Sequence, residues 1–321
     1  MKNRRLGNTD LFVSELCFGP MKWTDVQEGK AALDHALDLG VNVVHSSYEY
    51  QTIDQLGAHL MDHPKRQDIH HIIKVSSPEY NEEKFDKKKF RSQVEEALRK
   101  LHTERIDVVQ HLHRSVSKEI VYHEEGNPQR TSQFSEVQEE LLEVFDDMKN
   151  EGKVNYLASF PMTPKYAELV VKSGNFHGIA GYYNLIETEL TPLFPEMELK
   201  GMGYIAIRPL LAGLLTEKRK NRNKLAGQDP MRGEKWNDAY ELFQEVQKTV
   251  SDQDANWEDF ALKFCLADPR VTTVVMGLNN PAQVEAAVEA ANGDYPAMKE
   301  VNEIIAAVAH HSKEVKTWPP Y

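Results

Sequence analysis

The sequence predicts an α/β protein folded as a closed (β/α)8 barrel of the TIM type, and three observations lead there. Eight short apolar runs recur along the chain, segments of helical spacing lie between them, and no composition break divides the 321 residues. Strands apolar on both faces that alternate with helices form a parallel sheet covered on both sides, and eight such units favour closure into a barrel. The expectation is one barrel domain over residues 1–321. An open doubly wound sheet would usually carry a Gly-rich phosphate turn after its first strand; the turn here, FGPMKW, holds one glycine.

Taken in order, the strands are ELCFG near 15, VNVVH at 41, HIIKVS at 71 and IDVVQHL at 106, then VNYLAS at 154, GIAGYYN near 179, GYIAIRP at 203 and TTVVMG at 272. AALDHALDLG, KFRSQVEEALRKL, SEVQEELLEVFDDMKNEGK and WEDFALKFCLADP have helical spacing, and glycine closes several such segments, as it does at helix C-termini. Two polar stretches exceed the minimal pattern, 114–135 after the fourth strand and 216–237 after the seventh, the latter with five basic residues between 218 and 224. Long loops in compact domains are often lids or binding loops. The basic run is either a solvated face or, because phosphate sites in barrels favour the last two strands, a holder of an anionic cofactor.

A formal charge of −12 with pI near 5.6 disfavours a nucleic-acid surface, which needs a net basic face. The two cysteines, Cys17 and Cys265, lie in apolar surroundings and are expected as buried thiols rather than a disulfide or metal ligands. No window approaches a membrane span and MKNRRLGNTD lacks an apolar signal core, so a cytoplasmic protein is expected, without nucleic-acid or membrane partners. The pairs His70–His71 and His310–His311 invite a metal reading, but adjacent residues of a strand face opposite ways, and no metal is expected.

The stretch VVHSSYEYQTIDQLGAHL, residues 43–60, crowds His45, Ser46, Ser47, Tyr48, Glu49 and Tyr50 onto one strand-to-helix turn. A plain connection would use Gly, Asn, Asp or Pro, and in a barrel this turn lies at the catalytic end of the second strand. Lys74 then ends the third strand, and His111 and His113 end the fourth. A lysine within an apolar strand must be paired or used. Tyr, Lys and His at three strand ends suit carbonyl reduction: a phenol beside an ammonium donates the proton that the carbonyl oxygen needs, and an imidazole polarises and orients the carbonyl. The hydroxyls of Ser46 and Ser47 are expected to satisfy backbone groups at the turn.

From end to end the chain resembles an aldo-keto reductase. RRLGNTDLFVSELCFGPMKW resembles that family's N-terminal β-hairpin and first strand, and HSSYEY aligns without gaps on its second-strand motif, with Gly57 in the helix behind. EGKVNYLAS, YYNL, IRPLLAGLL and DPRVTTVVMGLNNPAQVEAAVEA resemble the fifth to eighth strand regions in order. The resemblance implies an NAD(P)H-dependent reductase of a small-molecule aldehyde or ketone, with NADP by family habit and NAD possible. Its catalytic set is Asp, Tyr, Lys and His. Tyr50 and Lys74 match it, and His45 stands where the Asp is expected and is placed to join the proton relay. Glu49 is a possible substitute carboxylate, but on an extended chain it points away from Tyr50. Spacing from Asp107 puts the fourth position at Leu112, so either His113 enters through a one-residue bulge or His111 serves; Arg114 matches a common continuation and favours His113.

Cofactor contacts implied by the resemblance are Met21, Ser159, Arg208, Pro209, Leu210, Gly213, Leu214, Gly277, Asn279 and Gln283, with Arg208 placed to meet the pyrophosphate. Several positions depart from the family pattern. Phe160 replaces an Asn, Ala180 a carboxamide-binding Gln, Ile207 an aromatic, Asn279 an Arg for the 2′-phosphate, and Ala287 an adenine-contacting Asn. These departures leave a second reading, a barrel that has lost redox chemistry and serves as a binding or regulatory protein. A lyase or isomerase reaction at Tyr50 and Lys74 is a third.

Overall fold

The computed structural model describes residues 1–118, 128–251 and 256–311; the middle of the 114–135 connection and the KTWPPY tail lie outside the described residues. Each of the eight expected strands is present. They are β3 (Leu16–Phe18), β4 (Val43–Ser47), β5 (His70–Val75), β6 (Ile106–Leu112), β7 (Val154–Phe160), β8 (Gly178–Tyr182), β9 (Gly203–Ile207) and β10 (Val271–Met276). All pair in parallel in sequence order, and β10 closes on β3, which makes a closed barrel. A preceding antiparallel hairpin, β1 (Asn3–Arg5) and β2 (Phe12–Ser14), lies outside the barrel sheet.

The barrel interior holds Cys17, Val43, Ile72, Val108, Ala158, Ala180, Ile205 and Val275, and the hairpin contributes Leu6, Leu11 and Val13 to the same cluster, sealing the N-terminal end. Arg4 ties this plug down: it pairs with Glu15 at 2.7 Å and donates to the carbonyls of Leu266, Asp268 and Val271. Alternate residues of the same strands, among them Val44, Ile73, Val109, Leu157 and Ile179, face outward into a second apolar layer shared with the helices. Two dry layers on either side of one sheet explain why the strands are apolar at nearly every position.

The helices begin where their caps dictate. Helix α1 (Val26–Asp38) starts behind Asp25 and α3 (Lys87–Lys100) behind Asp86, each carboxylate accepting two backbone N–H groups of the first turn. Between them runs α2 (Ile53–Leu60). After β6 come α4 (Pro128–Ser132) and α5 (Phe134–Asn150). Helix α6 (Pro164–Ser173) has Thr163 as cap, proline at its first position and Gly174 in the left-handed conformation behind it. The rest are α7 (Phe194–Leu199), α8 (Asn237–Thr249), α9 (Trp257–Ala267), α10 (Pro281–Asn292) and α11 (Met298–His311). Among the described residues no helix is long and apolar enough to cross a membrane.

Register decides what each strand can offer the site. Ser47, Lys74, Gln110 and Ala158 form one row across β4 to β7. His111 and Ser159, one residue on, pair with each other in the next row and therefore face the helix layer. After β9 the chain folds into a tight turn in which Arg208, Leu211, Ala212 and Gly213 all have positive φ. The connection expected at 216–237 is real; it is built from four short 3₁₀ turns, Glu217–Arg219, Arg222–Lys224, Pro230–Arg232 and Glu234–Trp236.

Candidate active site

At the C-terminal end of the barrel a groove of about 670 Å³ runs from His45 and Tyr50, past the Arg208–Gly213 turn, to the first turns of α9 and α10. Its wall includes Met21, Arg208, Pro209, Leu210, Gly213, Gly277, Asn279 and Gln283 from the expected cofactor set. Arg219, from the basic run, joins it, and so do Thr216, Glu258, Asp259 and Leu262, which the sequence did not suggest. Barrel sites open at this face because the strand ends and following loops converge there.

Tyr50 and Lys74 are brought together. β4 stops at Ser47, and a turn follows in which the Tyr50 amide donates to the Ser47 carbonyl at 3.0 Å. Lys74, in register with Ser47, places its Nζ 4.9 Å from the centroid of the Tyr50 ring. Only Tyr50 of the two lines the groove, so the ammonium supports the phenol without forming the wall. Burial pushes the Lys74 pKa below the ordinary lysine range, while Glu49 pulls it back up. Ser47 behaves as expected, its hydroxyl donating to the Lys74 carbonyl at 3.0 Å. The Ser46 hydroxyl, by contrast, is buried with no hydrogen-bond partner among the described residues.

Glu49 does reach Lys74: Oε2 lies 3.5 Å from Nζ. The expectation that it points away assumed an extended chain, but residues 48 and 49 are a turn, and the two-residue alternation of a strand ends at Ser47. Its other oxygen accepts from Arg114 Nη2 at 2.6 Å.

His45 faces the groove, and its Nε2 lies 3.0 Å from Gln110 Oε1. That oxygen only accepts, so Nε2 carries the hydrogen. Burial, with Lys74 adding its charge, pulls the imidazole pKa down to about 4, so at neutral pH His45 is uncharged and cannot stand in for a carboxylate.

Neither histidine of the fourth strand reaches the groove. β6 and β7 pair without a register shift, so the bulge that would turn His113 inward does not form. His113 stacks on Tyr166 of α6 with ring centroids 3.4 Å apart, and its two ring nitrogens lack partners among the described residues. His111 Nε2 donates to the Ser77 carbonyl, 2.7 Å away, and the ring packs edge-on against Phe85 and Phe90. Leu112 occupies the inward position that spacing from Asp107 indicated, beside Phe160. Ser159 and Leu214 also lie away from the groove: Ser159 faces outward by strand alternation, and Leu214 is fully buried in the outer layer. Met21 is open to solvent at the groove edge.

The YYNL segment has a structural explanation. The Asn184 side chain caps a turn by accepting from the amides of Ile186 and Glu187, and it donates to Glu187 and to the Arg208 carbonyl. The Arg208 backbone, at φ 66°, is thereby held in a conformation that costs a non-glycine residue energy. Its guanidinium lies 4.7 Å from the Tyr182 ring centroid and 3.3 Å from buried Glu187, whose pKa burial raises and Arg208 restrains. Of the basic run, Arg219 is the member on the groove wall, paired with Asp229 at 3.0 Å and donating to the Gly213 carbonyl at 3.2 Å. Its neighbours turn elsewhere, Lys220 to Glu217 and Arg222 to the Arg232 carbonyl. Of the two alternatives for this run, the solvated face thus describes most of it and the anion-facing role remains open to Arg219.

Comparison with known proteins gives a consistent answer. The chain is 24% identical over 324 residues to the Bacillus subtilis protein described as uncharacterized oxidoreductase YqkF, covering 98% of this chain and 97% of that one. It is 24% identical over 343 residues to L-galactose dehydrogenase of Arabidopsis thaliana, covering 98% and 96%. The fold matches aldo-keto reductase AKR11C1 from Bacillus halodurans in its holo form at a TM-score of 0.75 and its apo form at 0.71, each with 24% identity and 96% coverage of both chains. The model of the aldo/keto reductase family matches residues 15–309, nearly the whole barrel, and the chain belongs to that family.

Proposed function

We propose that this protein reduces an aldehyde or ketone to the alcohol with NADPH or NADH, Tyr50 giving the proton to the carbonyl oxygen. The observation that carries the reading is the Lys74 ammonium 4.9 Å from the Tyr50 ring, at the inner end of a groove of dinucleotide size. The groove fits such a cofactor in shape and donors. Gly277 keeps its floor open, the first turn of α10 presents Gln283, and the turn at Arg208–Gly213 offers backbone groups and a guanidinium. When bound, a reduced nicotinamide supplies the hydride. Tyr50 supplies the proton, and Lys74 stabilises the phenolate that remains. His45 joins the mouth as a neutral hydrogen-bonding group. With Leu112 inward on β6, Tyr50 acts on the carbonyl without an imidazole from that strand.

NADP is the cofactor family habit favours. The groove's two cations each face a carboxylate already, Arg208 with Glu187 and Arg219 with Asp229. A 2′-phosphate therefore competes for them, and the discrimination against NADH is expected to be small. The soluble carbonyl compound is the one partner this chemistry requires.

A second reading, a barrel that binds without reducing, is favoured by Leu112, Phe160 and Ala180, apolar at positions where the family pattern has polar ones. Titration with NADPH and NADH, followed by tryptophan quenching, separates the two. Saturable binding, together with loss of most turnover but not of cofactor binding in Tyr50→Phe, supports the reductase. Absence of binding and of thermal protection by either nucleotide supports the second reading, and unchanged turnover in Tyr50→Phe removes Tyr50 from the mechanism.

A further inference from the structure

Lys74 sits in the barrel row with Ser47 and Gln110, and the strands that flank it bring no carboxylate to that row. A lysine this sheltered, its side chain 14% exposed, needs an anion from elsewhere. The anion comes from the turn that also carries Tyr50. Glu49 Oε2 lies 3.5 Å from the ammonium, and Glu49 Oε1 is gripped by Arg114 at 2.6 Å. Arg114 leaves the end of β6, and it is itself fixed by Glu79 and by Ser76 Oγ, the latter at 3.1 Å. Glu79 in turn accepts from Tyr48 at 2.7 Å and from Ser76 at 2.5 Å. The result is a chain of alternating charge, Lys74, Glu49, Arg114 and Glu79, that joins the ends of β4, β5 and β6.

We propose that Glu49, clamped by Arg114, is the positioning residue of this site: it holds the Lys74 ammonium against Tyr50 in place of a carboxylate at position 45. The inference rests on the reductase reading for its catalytic meaning, but the ion pair itself does not. Glu49 keeps Lys74 charged against its burial and orients it toward the ring that must become a phenolate. Arg114 prevents Glu49 from swinging into solvent, where its side chain is already 33% exposed. The groups that set the charge on Lys74 are Glu49, Arg114 and Glu79, with neutral His45 and the phenol of Tyr50 on its other sides.

The test uses Glu49→Gln, Glu49→Asp and Tyr50→Phe in the full chain. The titration of Lys74 is read by trace acetylation with acetic anhydride across pH and peptide mass spectrometry, which needs no turnover. Removing the anion should make Lys74 lose its proton at lower pH, so its labelling near neutral pH rises about tenfold in Glu49→Gln, with most of the wild-type behaviour restored in Glu49→Asp. In the reductase assay, the alkaline fall of kcat should move toward lower pH in Glu49→Gln, while KM for the nucleotide stays as in the wild type. A role in folding alone would move neither profile. Unchanged Lys74 labelling in Glu49→Gln overturns the proposal, whatever the turnover. Shifted labelling with a turnover indifferent to Tyr50→Phe overturns the positioning role and the reductase reading together, leaving a structural ion pair. Shifted labelling with a shifted kcat profile supports it.

Discussion

Replacing His113 with Phe gives a stability effect whose dependence on pH follows from the burial of one ring. His113 is 1% exposed, stacked on Tyr166, with Arg130 and His111 as the charged and titratable groups that add to its burial. Together they hold its pKa well below the ordinary 6.5. The sign follows from proton uptake. Below pH 6.5 the unfolded chain protonates this histidine and the folded chain does not, so stability is lost as the pH falls. At pH 5 the loss is 2.303RT times the distance from the unfolded pKa, about 2 kcal/mol. Phenylalanine keeps the stack and cannot titrate. It also removes two buried nitrogens without partners among the described residues, a further gain of about 1 kcal/mol that is independent of pH. Urea unfolding followed by tryptophan fluorescence at pH 7.5 and 5.0 measures both contributions. The variant should be at least as stable as the wild type at pH 7.5, with the gap wider by about 2 kcal/mol at pH 5.0. A gap of equal size at both values would show that folded His113 takes up a proton, and the reasoning would fail. Loss of reductase turnover in the variant at pH 7.5 would refute the outward placement just as directly. His45 and His111, each pulled to about 4, act in the same sense, so the wild type should lose stability steeply between pH 6.5 and 4.

Two further outcomes test the packing and the mouth. Gly57→Ala drives a methyl group into the Lys100 carbonyl oxygen, where α2 crosses the end of α3, and backbone cannot yield as a flexible side chain does. The net cost should be about 2 kcal/mol despite the better helix propensity of alanine, read as a Tm lower by roughly 4 °C in calorimetry; an unchanged Tm would mean the crossing is looser than it stands. Leu112→His places an imidazole at the inward end of β6, and kcat/KM for a small aldehyde should rise about tenfold or more. No rise would mean that the carbonyl does not lie against β6.

Much of this was legible in the chain itself, because the signals concerned are local. Eight apolar runs and the helical spacing between them specify parallel strands and covering helices without knowledge of any distant contact. HSSYEY and the strand lysine in IIKVSS likewise declare a phenol and an ammonium at neighbouring strand ends, which the fold then sets 4.9 Å apart. What stayed illegible were the questions of facing. His111, His113 and Ser159 are strong residues by type, yet a strand alternates its faces every residue, so a shift of one position decides between groove and helix layer. The unbroken pairing of β6 with β7 sends all three outward and turns Leu112 in. Glu49 was misdirected for the converse reason: an extended chain points it away from Tyr50, whereas the chain leaves its extended form at Ser47 and a turn carries the carboxylate back to Lys74. Arg219 could not be told apart from the four other basic residues around it before the 3₁₀ turns placed it on the groove wall. The sequence by itself thus determined the barrel and the pair of groups that meet in it, through patterns a few residues long. Which side chains surround that pair was decided by the tertiary structure alone, because register, turn geometry and the partners of buried charges depend on residues far apart in the chain.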